Sequence, residues 1–259
     1  MTMTMPSFTP ARTRLGTSAV VLAYHDIIAD EDLPYEYAVR VSTFRHQLQL
    51  AQRWGYEFVH FSELNERLRR GESVAGLMAI TFDDALVGVY RHALPVLVEL
   101  GLPWTLLPVT DHLGVHPPWW EPAARTMTLD EIRAAVAAGA QLAGHSSTHL
   151  SLPQMSPTRV AAELLHSREL LSRWGGRQVQ DFCYPFGHQN PWVRWQVRDS
   201  GYRSGWTFTN GRCHGGDDPF LYRRMAMTEE LSGLRWAKFL LRPRWSWPAP
   251  ADLSGEVWS

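Results

Sequence analysis

Apolar positions along this chain recur in two periods, and the switches between them mark its elements. Residues 18–24, Ser-Ala-Val-Val-Leu-Ala-Tyr, form a short, partly β-branched apolar run that reads as a buried strand ending at His25-Asp26. Over residues 42–54 the spacing turns helical, with Phe44, Leu48 and Ala51 on one face and Gly55 as the stop. A weaker helical pattern covers 62–70. Leu77-Met-Ala-Ile-Thr-Phe82 is a second buried strand ending at Asp83-Asp84, followed by a helix over 90–100 that stops at Gly101. Residues 104–109 predict a third strand. Thr128 and Glu131 form a capping box for a helix running to Ala138. Gln141-Leu-Ala-Gly then leads into His145, and Ser156-Pro157 opens a helix reaching Trp174. A strand over 180–184, a helix over 192–200 and a strand over 204–209 complete the series.

Repeated strand–helix alternation implies parallel strands joined by crossover helices, closed or nearly closed into an α/β barrel. No repeat or low-complexity linker divides the chain, so one domain is expected over about 18–230. Residues 1–17 read as a flexible lead-in and 231–259 as a Trp/Arg-rich tail. The residues able to do chemistry fall at the C-terminal ends of predicted strands: His25, Asp83, Asp84, His145 and the turn Tyr184-Pro185-Phe186-Gly187. That rim is where α/β barrels build their sites, so these remote segments are expected to converge.

Composition narrows the function classes. The chain has 259 residues, 45% hydrophobic, enough for a sizeable core, and its formal net charge of −1 gives no reason to expect a nucleic-acid partner. Two cysteines, Cys183 and Cys213, imply no disulfide framework, and reduced thiols are expected. No secretory pattern stands at the start and no run of about 18 apolar residues occurs, so cytoplasmic residence, extending to the membrane face, is the expectation. Tryptophan is over-used, 12 against 10 Phe and 8 Tyr, which suits sugar stacking and large cores alike.

Two constellations carry chemistry. Adjacent carboxylates at the end of an apolar strand, Asp83-Asp84, are costly to bury without a cation or a proton. A metal would neutralise one and leave the other as a base; taken alone, the pair fits a solvated turn or helix N-cap as well. In Gly144-His145-Ser-Ser-Thr-His149 the two imidazoles, one helical turn apart, could share an ion. Two His and one distant Asp make an N₂O set with open positions, which suits catalysis better than structure.

Thr81-Phe-Asp-Asp84 followed by His145-Ser-Ser-Thr-His149 resembles the NodB-homology polysaccharide deacetylases, family 4 of the carbohydrate esterases, and Tyr184-Pro-Phe-Gly187 resembles their third motif. Leu22-Ala-Tyr-His-Asp-Ile27, Val41-Ser-Thr-Phe44, Gly55-Tyr56 and Ser62-Glu-Leu64 further resemble the subgroup that includes poly-N-acetylglucosamine deacetylases. The resemblance, over roughly 20–225, implies a distorted (β/α)7-type barrel. It implies Asp83 as general base and Asp84, His145 and His149 as ligands of a divalent metal, usually zinc, with cobalt or nickel as substitutes. It also implies the backbone N–H of Phe186 as oxyanion donor, and an acetylated amino-sugar oligo- or polysaccharide as substrate. A metal-activated water would attack the acetyl carbonyl while Asp83 takes its proton.

Two departures from the family pattern stand out. Where the wider family carries a Leu-x-His acid, this chain has Leu221-Tyr-Arg-Arg224. The subgroup points to His25 instead, with His188 as a spare; a hydrogen-bonding structural role is the alternative for His25. Where many members carry a base-orienting Arg before the Pro, Cys183 or Tyr184 stands, leaving Arg223 or Arg224 to reach Asp83 from another strand.

Tyr184, Pro185, Trp119, Trp120 and Trp206 are candidate substrate contacts, with loop packing the alternative for Trp119 and Trp120 and core packing for Trp206. The tail's Leu, Trp and Arg residues would suit either an amphipathic element on an anionic membrane or a terminal helix packed on the barrel. Competing functions are a non-catalytic carbohydrate binder, a carbohydrate O-acetyl esterase and a glycosidase; the last needs two separated acids, whereas Asp83 and Asp84 are neighbours.

Overall fold

The computed structural model of the protein describes residues 17–241. Its elements are β1 (Val20–Tyr24), β2 (Asp26–Ile28), β3 (Ala38–Arg40), α1 (Val41–Arg53), β4 (Glu57–Phe58), α2 (Phe61–Arg69) and β5 (Leu77–Asp84). A π-turn over Val89–Ala93 leads into α3 (Leu94–Leu100), then come β6 (Trp104–Pro108), α4 (Leu129–Ala137), β7 (Ala140–Leu142), α5 (Pro157–Gly175), β8 (Asp181–Cys183), α6 (Pro191–Asp199), β9 (Ser204–Trp206), β10 (Met225–Ala226) and α7 (Gly233–Leu241).

The main sheet runs β10-β1-β5-β6-β7, all parallel, with β4 beside the start of β5. Two single parallel bridges extend it around a ring. Gly144, just past β7, pairs with Phe182 in β8, and Trp206 in β9 pairs with Tyr222, just before β10. Seven strand segments (β1, β5, β6, β7, β8, β9 and β10) therefore close on one another, with the ladder thinned to single bridges at two places. The expected barrel is present, and its distortion lies at those two places.

β1 and β5 are buried along their whole lengths, as strands covered on both faces must be. Their alternation sorts side chains into two layers. Val20, Leu22, Tyr24, Met78, Ile80 and Phe82 face the helices, while Val21, Ala79, Leu107, Cys183, Trp206 and Tyr222 share the second cluster, the barrel interior. Trp206 is fully buried there against Phe61 and Tyr222, and its Nε1–H donates to Ser204, so the expected substrate contact at this position is a core residue. Both cysteines are buried free thiols.

The helices start and stop where local chemistry allows. The Thr128 hydroxyl accepts from the Glu131 N–H while the Glu131 carboxylate accepts from the Thr128 N–H, and Gly101 ends α3 with φ of 62°. Sequence periodicity misses β2, β3, β4 and β10, which are two or three residues long, too short to show a period. It also ends the domain too early. α7 buries Trp236, Phe239 and Leu240 in the main core, and Trp236 Nε1–H donates to the Gln47 carbonyl at 2.9 Å. This part of the expected tail is thus a terminal helix packed on the barrel. The remainder, including Arg242, Arg244 and Trp247, lies outside the described residues, as does the lead-in before Thr17. Among the described residues no helix is long and apolar enough to cross a membrane.

β2 leaves the barrel immediately after His25. It does so because Asp26 turns into a pocket beside Gly88, where an added Cβ would lie 2.0 Å from Asp26 Oδ1 and 2.3 Å from the Ile27 carbonyl oxygen. The Tyr35 hydroxyl donates to the other Asp26 oxygen and ties down the loop between β2 and β3. Burial raises the Asp26 carboxyl to about 6, with the Tyr35 bond partly offsetting it. An acid raised on folding holds its proton more tightly in the native state. Its contribution is therefore greatest below pH 4 and declines as pH rises to about 6, by roughly 3 kcal/mol in all. Urea denaturation across pH 4–7 should show that decline, and Asp26→Asn should flatten it. Gly88→Ala should cost roughly 1–3 kcal/mol at any pH in the same assay.

Candidate active site

Asp83 and Asp84 are consecutive on β5 but have different neighbours. Asp83 follows Thr81 on the inward face, and the barrel interior brings Arg224 to it. Arg224 Nη1 and Nη2 donate to the two Asp83 oxygens at 2.6 and 2.8 Å, and both side chains are essentially inaccessible. The same guanidinium donates to the Thr207 carbonyl at 3.1 Å and the Thr81 hydroxyl at 3.3 Å. Of the two arginines the sequence leaves open, Arg224 is therefore the partner; Arg223 lies against Gly211. Burial would raise the Asp83 carboxyl, but Arg224 and the nearby imidazoles outweigh it and hold it below the ordinary range.

At Asp84 the strand ends abruptly, with φ of 64° at Asp84 and 53° at Ala85. The carboxylate turns over the rim to meet His149 Nε2 at 3.2 Å and His145 Nε2 at 3.5 Å, both from its Oδ1. Asp84, His145 and His149 form a buried group whose ligand atoms all lie within 4.8 Å of one another. Asp84 Oδ1 is buried without a hydrogen-bond donor, a costly state for a carboxylate unless a cation fills the gap. The donor set, one carboxylate and two imidazoles, fits a catalytic divalent site.

His145 Nδ1 lies 2.8 Å from the Cys183 carbonyl, which fixes that nitrogen as the N–H and turns Nε2 toward Asp84. Burial lowers His149 to about 4 despite the pull of Asp84, whereas at His145 the close approach of Asp84 and the charge of both carboxylates outweigh burial and raise it. For Asp84, burial acts upward but the two imidazoles prevail and hold it below the ordinary range.

The histidine pair is not helical. Residues 145–149 form an irregular turn with positive φ at Ser146 (63°) and His149 (58°). The expected convergence holds, but a tertiary brace produces it. The buried Glu163 carboxylate on α5 accepts from the backbone N–H groups of Ser147 and Thr148 at 2.9 and 3.0 Å and from the Thr148 hydroxyl at 2.8 Å. Sequence reading misses Glu163. Its signal is an acid within the buried stripe Val160, Leu164, Ser167 and Leu171 of α5.

Asp83, Asp84, His145 and His149 line a cavity of about 290 Å³. His25 stands on its wall, with Nε2 3.9 Å from Asp83 Oδ2; burial lowers its pKa against the pull of Asp83. Tyr37 stacks on His25 at 5.1 Å, and the edges of Trp120 and Phe208 approach it at 5.5 and 5.2 Å. Glu36, Tyr37 and Phe208 are lining residues that sequence reading missed: the first two lie in an irregular loop that signals no tertiary neighbours, and Phe208, expected within a strand over 204–209, lies past the end of β9. Tyr184 lines the cavity as a buried residue whose hydroxyl donates to the Phe220 carbonyl. Pro185 is buried beneath the turn that carries Phe186, whose φ is 56°.

His188 does not line this cavity. It lies in an adjoining one of about 380 Å³, with Nδ1 3.0 Å from the Ser151 hydroxyl; Trp119, His149 and Phe186 separate the two spaces. Among the described residues, all six non-glycine positions with positive φ (Tyr37, Asp84, Ala85, Ser146, His149 and Phe186) lie in or next to the site. Such backbone costs of order 1–3 kcal/mol each cluster where surrounding packing over-determines a functional geometry.

Residues 70–205, just over half of the chain, match the family described as Polysaccharide deacetylase. The fold superimposes on the Streptococcus pyogenes deacetylase PplD, solved in complex with acetate, with a TM-score of 0.75 at 22% identity, covering 86% of this chain and 98% of PplD. IcaB from Ammonifex degensii gives 0.74 at 25% identity, covering 87% and 96%. In sequence, YxkH of Bacillus subtilis is 21% identical over 221 residues, 85% of this chain and 75% of YxkH.

Removing Arg224 would leave Asp83 as a buried, unpaired charge. Arg224→Leu should lower stability by roughly 3–5 kcal/mol in chemical denaturation. Adding Asp83→Asn should recover part of the loss, because the stranded charge is then gone.

Proposed function

The chain belongs to the polysaccharide deacetylase family, and from that premise we propose that it removes N-acetyl groups from N-acetylhexosamine units of an oligo- or polysaccharide with the help of a divalent metal. Zinc is the metal the donor set suits best, with cobalt and nickel as substitutes. One observation carries the reading. Two successive buried carboxylates face one cavity, one clamped by Arg224 and the other turned, with an orphaned oxygen, toward two imidazoles.

Asp84, His145 and His149 would hold the cation. When bound there, it supplies Lewis acidity to a water and to an acyl oxygen. Asp83 takes the proton of the attacking water. Its clamp on Arg224 keeps the carboxylate plane fixed, with Oδ2 3.9 Å from His25 Nε2. The water oxygen bonds to the carbonyl carbon while the Phe186 backbone N–H donates to the carbonyl oxygen as that atom gains charge. His25 gives a proton to the nitrogen, the C–N bond breaks, and acetate and a free amine leave. Tyr37, Trp120 and Phe208 around His25 keep bulk water from that proton. The acetate bound by PplD is the product expected here. The adjoining cavity behind Trp119 and Phe186 gives a longer saccharide room to continue past the reacting unit. A precursor or polymer of exopolysaccharide or cell-envelope glycan fits these requirements.

Acetate release from N-acetylglucosamine oligomers should stop on chelation and return with zinc or cobalt. Asp83→Asn should lower the rate by roughly 10²–10⁴ with metal binding retained. Activity indifferent to both the chelator and that substitution would refute the mechanism. His25→Ala should retain the metal and lose turnover; full activity there moves the proton donor elsewhere. Faster turnover of acetyl esters than of acetamides would reassign the substrate to an O-acetylated sugar.

A further inference from the structure

Two details of the metal site are left unexplained by its ligands. Asp84 presents only Oδ1 to the imidazoles, although a carboxylate has two equivalent oxygens. His149 lacks the second-nitrogen hydrogen bond that normally orients a ligating imidazole. Its Nδ1 is buried without a partner, whereas His145 Nδ1 is held by the Cys183 carbonyl. Both details lead to one side chain. Trp119 Nε1–H donates to Asp84 Oδ2 at 3.2 Å, and the Trp119 ring lies stacked on the His149 ring, centroids 4.4 Å apart with 22° between planes. Phe186 closes the other approach to His149 edge-on, at 4.5 Å.

We propose that Trp119 is a positioning residue for the cation site: its N–H reserves one Asp84 oxygen so that the other serves as the single carboxylate ligand, and its face sets the His149 ring in place of the missing hydrogen bond. Indole suits both tasks. It is a donor only, so it cannot compete for the metal, and its flat face offers an orienting surface where no acceptor is available. The loop that carries it is itself fixed. Gly114 N–H donates to the Met127 carbonyl at 3.0 Å, and the Thr126 hydroxyl donates to the His112 carbonyl at 2.6 Å. Trp119 is also a wall between the two cavities, so loss of its ring would loosen the metal site and the saccharide path together.

This inference rests on the metal reading above, and direct metal binding separates the two. Affinity for zinc and cobalt is measured on the purified full chain by competition with a chromogenic chelator, and ligand geometry is followed by the visible absorption of the cobalt form. Trp119→Phe keeps a stacking ring and deletes the N–H; it should weaken binding about 10-fold and shift the cobalt bands. Trp119→Ala deletes both contacts and should weaken binding further. Trp120→Phe, whose ring faces His25 instead, should leave affinity unchanged. Thermal unfolding of the metal-free proteins checks that each variant folds. Equal affinity and equal cobalt spectra in wild type and Trp119→Phe overturn the proposal, and a raised KM alone in that variant assigns Trp119 to the sugar. A folded wild type that binds neither metal refutes the metal reading itself.

Discussion

Two carboxylates on consecutive residues are costly to bury together at the end of an apolar strand unless each is given its own compensating surroundings. This constraint organises the site. The strand's alternation sends Asp83 into the barrel, where Arg224 meets it with two hydrogen bonds, and the positive φ of Asp84 sends its carboxylate over the rim to two imidazoles. One acid is thus clamped by a guanidinium and its neighbour is turned toward two imidazoles. The division arises from strand geometry and one left-handed residue, because the two side chains are chemically identical.

Around that pair the backbone is unusually constrained. Glu163 collects two N–H groups and a hydroxyl from the turn between the histidines, the Cys183 carbonyl fixes His145, and Asp26 with Tyr35 holds the loop that lays Tyr37 on His25. Each brace is a buried or partly buried polar contact between residues 9 to 38 positions apart. A low-dielectric interior makes such contacts strong when complete and costly when broken, which is how left-handed conformations at non-glycine residues are sustained here.

Much of the architecture was legible beforehand, and the reasons differ between elements. β1 and β5 stand out as continuous apolar runs because both their faces are covered, and α1 shows a helical period because its apolar face repeats. β2, β3 and β10 are too short to show one. Arg224 was narrowed to one of two candidates, since Leu221-Tyr-Arg-Arg places both arginines near the right strand end but does not say which faces inward. The histidine pair was matched by the right spacing for the wrong reason, because helical geometry and a braced turn can both converge two imidazoles four residues apart. Trp206 shows the limit of composition: a tryptophan near a site by sequence is a core residue when its strand position points inward.

The main alternation of strands and helices, the single α/β domain and the identity of the four polar residues on the rim follow from the sequence alone, because periodicity and local spacing are properties of neighbouring residues. Which arginine clamps Asp83, what braces the histidine turn and which tryptophan packs on His149 were decided only by the tertiary structure. Those contacts join residues from 15 to 141 positions apart. Their energies depend on burial and orientation, which no local stretch of sequence encodes.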